Sequence, residues 1–169
     1  MTAPFGPLTP DFILSAVEAS GLRCDGRLLT LNSYENRVYQ VGIEDAAPLI
    51  AKFYRPGRWS DAAILEEHAF LAELADAEIP AVAALEIGGQ TLHHHEGFRI
   101  ALFPRRGGRA PELDDPEVLG WLGRFLGRIH AVGATRPFSH RPTLDIRSFG
   151  DAPRDTLLAS PFLPPELRD

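Results

Sequence analysis

One lysine stands in a strand-like segment that is otherwise apolar. Lys52 lies within residues 49–54, where the other side chains are aliphatic or aromatic. A lysine ammonium is costly to leave on such a strand without an anionic partner. Glu67 follows on the predicted inward face of the next helix and can supply a carboxylate. A nucleotide-binding lobe uses such a pair, because the carboxylate holds the ammonium and the ammonium holds the α- and β-phosphates of ATP.

The spacing of Lys52 and Glu67 also allows plainer interpretations. The two side chains could form an ordinary strand–helix salt bridge, or Lys52 could extend from a strand edge into solvent. The polar loop at residues 32–36 precedes the lysine strand at the position of a phosphate-covering loop, although it lacks the glycines of a G-x-G-x-x-G motif. A plain polar hairpin is the alternative interpretation of this loop.

The elements that must position these groups follow from hydrophobic spacing and from helix and turn signals. The pattern predicts five strands, at residues 28–31, 37–43, 49–54, 82–87 and 98–103, the first three as an antiparallel meander. Capping residues and helical periodicity predict helices at residues 10–20, 60–77 and 116–133. On the middle helix, the inward stripe contains Ile64, Glu67, His68, Leu71, Leu74 and Ala75. Beyond residue 134 periodicity is poor and no element is predicted.

Length and composition limit the classes of function. The 169 residues are 44% apolar and 24% charged, with a formal net charge of −6. This charge gives no general attraction to nucleic acid or to an anionic membrane, so we predict neither as a partner. Cys24 is the only cysteine, which excludes an internal disulfide and suits a reducing compartment. Because the sequence has no signal segment and no apolar run that could span a bilayer, we predict a soluble, cytoplasmic protein.

Three consecutive histidines, at residues 93–95, suggest a metal site. Glycines precede them at Gly88 and Gly89, and Gly97 follows. Adjacent histidines in this setting are typical of a solvated hairpin turn, and we predict no metal ligands in the chain. Trp59 is likewise predicted to pack rather than to contact a ligand.

Six segments, taken in their order and spacing, resemble the bacterial stress response kinase A family. The segments are LNSYENRVY (31–39), AKFYRP (51–56), ILEEH (64–68), GGR (107–109), LGRFLGRIH (122–130) and HRPT (140–143). The family consists of Ser/Thr protein kinases with the aminoglycoside-phosphotransferase type of kinase-like fold. The resemblance therefore implies an α+β protein: a kinase-like N-lobe, with a five-stranded antiparallel sheet and one inserted helix, and then the first helix of a helical C-lobe. Together with the shift in composition at Gly107 and Gly108, it predicts an N-lobe at residues 1–104, a hinge at 105–115 and the start of the C-lobe at 116–169.

The resemblance also implies roles for individual residues. Lys52 matches the lysine that binds ATP, and Glu67 matches its helix partner. The loop that covers the phosphates corresponds to Ser33, Tyr34, Glu35 and Asn36, and the hinge whose backbone would receive adenine includes Leu102, Phe103 and Arg105. The implied cofactors are ATP and Mg²⁺, and the implied substrates of the whole kinase are proteins with Ser or Thr hydroxyls.

The sequence departs from the family pattern in a way that bears on mechanism. Such kinases carry a catalytic loop of the form H-G-D-x-x-x-x-N, whose Asp orients the acceptor hydroxyl and whose Asn holds Mg²⁺. No histidine here precedes Gly-Asp, and the only asparagines are Asn32 and Asn36, in the predicted phosphate loop. We therefore predict that the chain contains no catalytic residue, ends before the catalytic loop, lacks most of the C-lobe and is inactive alone.

Two other functions stay open at the level of sequence. A small-molecule phosphotransferase of the same fold, acting on an aminoglycoside, a choline-like alcohol or a sugar, would share every feature described so far. A non-catalytic nucleotide-binding or interaction module, complete at Asp169, belongs to a different class and predicts a compact, monodisperse chain. The truncated-kinase interpretation instead predicts exposed apolar surface on the helix at residues 116–133.

Overall fold

A five-stranded antiparallel sheet occupies the middle of the chain. The computed structural model describes residues 5–164 and residue 167. In sheet order the strands are β1 (Cys24–Leu31), β2 (Arg37–Ile43), β3 (Leu49–Phe53), β5 (Phe98–Pro104) and β4 (His93–His95). The helical elements are α1 (Pro10–Glu18), α2 (Asp61–Asp76), α3 (Pro116–Gly133), a π-helical turn (Arg147–Asp151) and α4 (Ala152–Leu158). The predicted α+β class and the meander of the first three strands are confirmed.

Local sequence signals set the starts of the first three helices. The hydroxyls of Thr9 and Ser60 accept hydrogen bonds from backbone N–H groups in the first turns of α1 and α2. α3 begins with Pro116, behind the capping carboxylate of Asp115. Such caps satisfy backbone donors that have no partner within the helix. Each helix therefore begins at the predicted residue or next to it.

The two faces of the sheet have different coverings. On one face α1 packs against alternate strand residues, and together they form an aliphatic and aromatic core. The core contains Ile13, Ala16, Val17, Tyr39, Val41, Ile43, Ala51, Phe53, Phe98, Ile100 and Leu102. On the other face lies a smaller cluster, to which α2 contributes Ile64. It is composed of Tyr54, Ile64, Leu92 and Ala101, and Trp59 and Phe103 pack against it. Because side chains alternate along a strand, Lys52 points to the α2 face.

The prediction of a strand at residues 82–87 is wrong. All of this segment is described, and it is not part of the sheet. It contacts β5 by a backbone hydrogen bond from the Leu85 N–H to the Leu102 carbonyl (2.7 Å). The strand on that edge is β4, so the three histidines lie in a strand and not in the predicted turn. The turn consists of Glu96 and Gly97, whose φ angles are 44° and 85°, as a two-residue hairpin turn requires. Gly97 is thus the sequence signal for this hairpin.

The predicted stripe on α2 is largely correct. Ile64, His68 and Leu74 are buried, and Glu67 and Leu71 are partly buried. Ala75, predicted to face inward, is exposed instead, so the buried side of the last turn is the one that carries Leu74.

α3 contacts the C-terminal end of α2 and buries none of its side chains fully. Its predicted stripe is half-buried and consists of Val118, Leu122, Phe125, Ile129 and Val132. The guanidinium of Arg128 donates to the carbonyls of Ala77 and Glu78, just beyond α2 (2.8 and 3.1 Å). Because Leu119, Trp121 and Leu126 are exposed, the predicted apolar surface on this helix is present.

The chain divides into two compact units, one ending at Pro137 and the other beginning at Phe138. The first contains the sheet and α1 to α3. The second contains the π-helical turn and α4, in the region where the sequence predicted no element. The boundary at residues 105–115 between an N-lobe and a C-lobe stays a prediction. In the part of the chain that the structure describes, no helix is both long enough and apolar enough to cross a bilayer.

Candidate nucleotide-binding site

Lys52 and Glu67 meet as an ion pair. The Lys52 Nζ lies 2.7 Å from the Glu67 Oε1, and the two side chains are 21% and 24% exposed. The lysine comes from β3, and the glutamate comes from α2, directly before the buried His68. An ammonium has three N–H donors, so one that binds a carboxylate can also bind phosphate oxygens. The structure thus brings together the two residues that the sequence paired.

Strand register places Lys52 in a row of side chains on the α2 face. Leu31 is opposite Val38, Val38 is opposite Lys52, and Lys52 is opposite Ala101. A second row on the same face contains Leu29, Gln40, Ile50 and Phe103. Except for the buried Ala101 and the exposed Leu29, these neighbours are half-buried. A partly open apolar surface beside a lysine can accept the planar base of a nucleotide.

The loop at residues 32–36 is anchored to the segment that follows β3. The indole Nε1 of Trp59 donates to the Glu35 Oε1 (2.8 Å), and the same carboxylate oxygen lies 3.5 Å from the Arg58 Nε. The backbone N–H of Arg55 donates to the side-chain oxygen of Asn36 (3.2 Å). Trp59, predicted only to pack, therefore also holds the loop through a hydrogen bond. Its position in the sequence carries no signal for this contact.

The other predicted site residues differ in exposure. Tyr34 is fully exposed in the loop, and Ser33 beside it is partly exposed. Phe103 is half-buried on the Lys52 face. Leu102 is buried in the α1 core and its carbonyl accepts the hydrogen bond from Leu85, whereas Arg105 is exposed beyond β5. Of the three hinge residues, only Phe103 therefore shares a face of the sheet with the lysine, and a role for the hinge in receiving adenine stays a prediction.

A buried polar group adjoins the ion pair. The Tyr54 Oη lies 2.8 Å from the His68 Nε2, and the His68 Nδ1 lies 2.9 Å from the Thr91 Oγ1. Burial, and then the nearby charge of Lys52, lower the pKa of His68 from 6.5 to about 4. The histidine is therefore neutral near pH 7. Sequence reasoning placed His68 on the inward stripe but identified neither of its hydrogen-bond partners.

A second polar cluster ties the β4–β5 hairpin to the start of α2. Asp61 pairs with Arg99, and its Oδ2 lies 2.9 Å from the His94 Nε2. Hydrogen bonding to Arg99 is the main cause that lowers the pKa of Asp61. Within residues 5–164 and 167, no three side chains of His, Cys, Asp or Glu are arranged to hold a metal ion.

Comparison with known families covers most of the chain. The sequence model of the phosphotransferase enzyme family matches residues 28–169, a range that includes Lys52, Glu67 and the anchored loop. The chain belongs to the phosphotransferase enzyme family. Its ion pair and loop are accordingly features of a phosphotransferase chain.

Relatives named stress response kinase A are similar to this phosphotransferase chain over nearly its whole length. The protein of that name from Escherichia coli (strain K12) is 43% identical over 164 residues, which are 97% of this chain and 50% of the relative. The protein named serine/threonine protein kinase RdoA, from Salmonella typhimurium (strain LT2), is 42% identical over 160 residues, which are 95% of this chain and 49% of that relative. The resemblance seen in the sequence is confirmed, and the chain spans about half the length of the curated relatives it matches.

Solved structures of kinases share the fold of this phosphotransferase chain. Amicoumacin kinase hAmiN, in complex with AMP-PNP, Ca²⁺ and Ami, matches with a TM-score of 0.70 at 18% identity, over 89% of this chain and 47% of that one. A microcompartment-associated aminopropanol kinase matches with a TM-score of 0.64 at 21% identity, over 83% of this chain and 47% of that one. The predicted kinase-like fold is therefore confirmed.

Proposed function

We propose that this chain is the ATP-binding part of a cytoplasmic Ser/Thr protein kinase that acts in the stress response. The observation that carries the proposal is the Lys52–Glu67 ion pair (2.7 Å) on the partly open face of the sheet. Lys52 binds the α- and β-phosphates, Glu67 holds the lysine in place, and the half-buried side chains of Ile50 and Phe103 accept the base. ATP supplies the γ-phosphoryl group that the whole kinase transfers to protein hydroxyls, and we expect the ligands of its Mg²⁺ to lie outside this chain.

The anchored loop supports the same assignment. Because Glu35 and Asn36 are held by residues 55–59, the loop loses less conformational entropy when a ligand orders it. Arg55 lies in the segment that anchors the loop and adds a positive charge to that of Lys52. This local charge can attract a polyphosphate to a chain whose net charge is −6.

The acceptor is the finer part of the proposal. A relative named as a serine/threonine protein kinase, 42% identical, favours a protein acceptor. The two solved kinases, 18% and 21% identical, support the fold alone, but their names specify small molecules. A small-molecule phosphotransferase is therefore the second candidate. Both candidates use the same ATP site.

ATP binding can be tested selectively, because Lys52 is the only lysine in the sequence. In a chain made with isotope-labelled lysine, the side-chain NMR signal of Lys52 should shift as ATP is added. Glu67→Gln should weaken the binding, whereas Asp76→Asn, which changes an exposed carboxylate at the end of the same helix, is the matched control. If the Lys52 signal of the wild-type chain does not shift when ATP is added, the proposed site is refuted. If the Glu67→Gln chain binds ATP with normal affinity, the proposed role of Glu67 is refuted.

A transfer experiment separates the two acceptor classes. In a full-length protein that carries this segment, radiolabelled γ-phosphate from ATP should appear on Ser or Thr of protein acceptors and not on aminoglycosides, choline or sugars. Labelling of the small molecules alone would favour the second candidate. For the purified 169-residue chain we expect no transfer above background. Transfer by that chain would show that the reaction does not need the catalytic loop, which we predict to lie outside the chain.

A further inference from the structure

Tyr54, His68 and Thr91 form a chain of hydrogen bonds that joins three parts of the fold. The Tyr54 Oη lies 2.8 Å from the His68 Nε2, and the His68 Nδ1 lies 2.9 Å from the Thr91 Oγ1. Tyr54 directly follows β3, His68 is in α2, and Thr91 lies shortly before β4. Both ring nitrogens of His68 are engaged, and this fixes the orientation of the imidazole.

The tyrosine ring at the end of this chain lies against the lysine. The Lys52 Nζ is 4.4 Å from the centroid of the Tyr54 ring, within the range of a cation–π contact. The same atom lies 2.7 Å from the Glu67 carboxylate. Tyr54 is 2% exposed, so the ring is held on all sides. Its face and the Glu67 carboxylate together determine where the ammonium lies.

Packing alone does not require this polar chain. A pocket beside Ile64 and Ala101 could be filled by phenylalanine and leucine, without the desolvation of an imidazole. Hydrogen bonds are directional, so they fix the angle of the tyrosine ring and the position of α2 relative to β3. His68 directly follows Glu67, so the bonds that fix the histidine also fix the carboxylate.

We propose that Tyr54, His68 and Thr91 are positioning residues for the lysine site. They hold the Tyr54 ring against the ammonium of Lys52 and hold α2 at the register that brings Glu67 to it. The lysine then keeps one direction toward an incoming phosphate. This last step rests on the proposed function, whereas the placement of Lys52 does not depend on any ligand.

The placement of Lys52 can be tested without nucleotide. Isotope-labelled lysine gives one set of side-chain resonances, since the chain has one lysine. The ring current of Tyr54 should move the Lys52 methylene protons upfield, and Tyr54→Leu should abolish this displacement. Tyr54→Phe keeps the ring but removes its hydrogen bond, so the displacement should decrease. Tyr39→Phe, on the α1 face of the same sheet, is the matched control and should leave the signals unchanged.

Thr91 provides a rescue experiment. Thr91→Val keeps the shape of the side chain but removes its hydroxyl, so it should also reduce the displacement, and Thr91→Ser should restore it. If Tyr54→Phe and Thr91→Val both keep the wild-type displacement, the hydrogen-bond chain does not position Lys52 and the proposal is overturned. Should Tyr54→Leu fail to fold, these two conservative variants still decide.

Titration of the same labelled chains with ATP tests the link to phosphate. Tyr54→Phe and Thr91→Val should weaken binding by roughly twofold to tenfold, while Thr91→Ser and Tyr39→Phe keep the wild-type affinity. A wild-type chain that does not bind ATP would refute the proposed function and leave the ring-current result to decide the positioning role. A reduced displacement with unchanged ATP affinity would overturn the link between lysine placement and phosphate binding.

Discussion

The two faces of the sheet use the same strands for different purposes. Toward α1, Ala51, Phe53 and Ile100 are fully buried in an apolar core. Toward α2, the same strands present the Lys52–Glu67 ion pair, and the buried side chains there include His68. Because side chains alternate, a single step along β3 leads from the core to the candidate site. Substitutions on the two faces should therefore change different properties of the protein.

The largest effect is expected for a truncation on the α1 face. Phe53→Ala should lower the free energy of unfolding by about 3–5 kcal/mol, because the ring is fully buried and packs edge-on against Tyr39 and Phe98. Denaturant unfolding followed by circular dichroism measures the loss. Tyr34→Ala removes a fully exposed ring and should change the same free energy by less than about 0.5 kcal/mol. Equal effects of the two substitutions would contradict the assignment of this face as the stabilising core.

The next largest effect concerns pH and the buried histidine of the α2 face. Well above pH 6.5 His68 is neutral in both the folded and the unfolded chain, and its pKa adds nothing to the pH dependence of stability. Between pH 6.5 and about 4 the unfolded chain binds a proton that the folded chain excludes, so stability decreases as the pH falls. The difference between the pKa of His68 in the unfolded chain, 6.5, and in the folded chain, about 4, corresponds to a total loss of roughly 3 kcal/mol in the free energy of unfolding.

The variant His68→Gln isolates this contribution, because glutamine does not titrate. Unfolding free energies of the wild-type chain and the variant should be measured at several pH values between 4 and 7 and then subtracted, so that the carboxylate contributions cancel. As the pH falls, the unfolding free energy of the wild-type chain should decrease more than that of the variant. Parallel pH profiles would show that His68 is not protected from protonation in the folded chain.

A third prediction sharpens the separation of the two faces. Lys52→Ala should weaken ATP binding by about tenfold to a hundredfold, because it removes charge-assisted contacts to phosphate. The same variant should lose much less stability than Phe53→Ala, since Lys52 is partly exposed. Calorimetric titration with ATP and denaturant unfolding measure the two quantities. A stability loss equal to that of Phe53→Ala would remove the distinction between the faces.

The smallest effect is expected at the loop anchor. Trp59→Phe keeps an aromatic ring but removes the hydrogen bond to Glu35, which contributes about 1 kcal/mol. Amide hydrogen exchange in residues 33–36 should become faster, and ATP binding should weaken by less than about tenfold. Trp121→Phe, at an exposed tryptophan of α3, is the control and should leave both unchanged. Unaltered exchange in the Trp59 variant would show that the indole does not hold the loop.

Much of the fold could be predicted because its signals are local. The caps at Thr9, Ser60 and Asp115 lie within a few residues of the helices they start, and the alternation within β2 and the apolar run of β3 are evident in short windows. The sequence does not indicate the strand at residues 93–95, because three histidines do not alternate in hydrophobicity and the apolar run at 82–87 is more typical of a strand. Only pairing with β5 across the Glu96–Gly97 turn decides which of the two segments joins the sheet.

Residue spacing along single elements is enough to predict α1 to α3 and the strands β1, β2, β3 and β5, the position of Lys52 on an apolar strand and the inward placement of Glu67. The tertiary structure decided which distant groups meet. Trp59 reaches Glu35 across 24 positions and His68 reaches Thr91 across 23, and neither pairing has a periodic signal. Such contacts depend on strand register and on how α2 packs against the sheet. The position of Lys52 can therefore be predicted from its own strand, whereas the contacts that surround it form only when the chain folds.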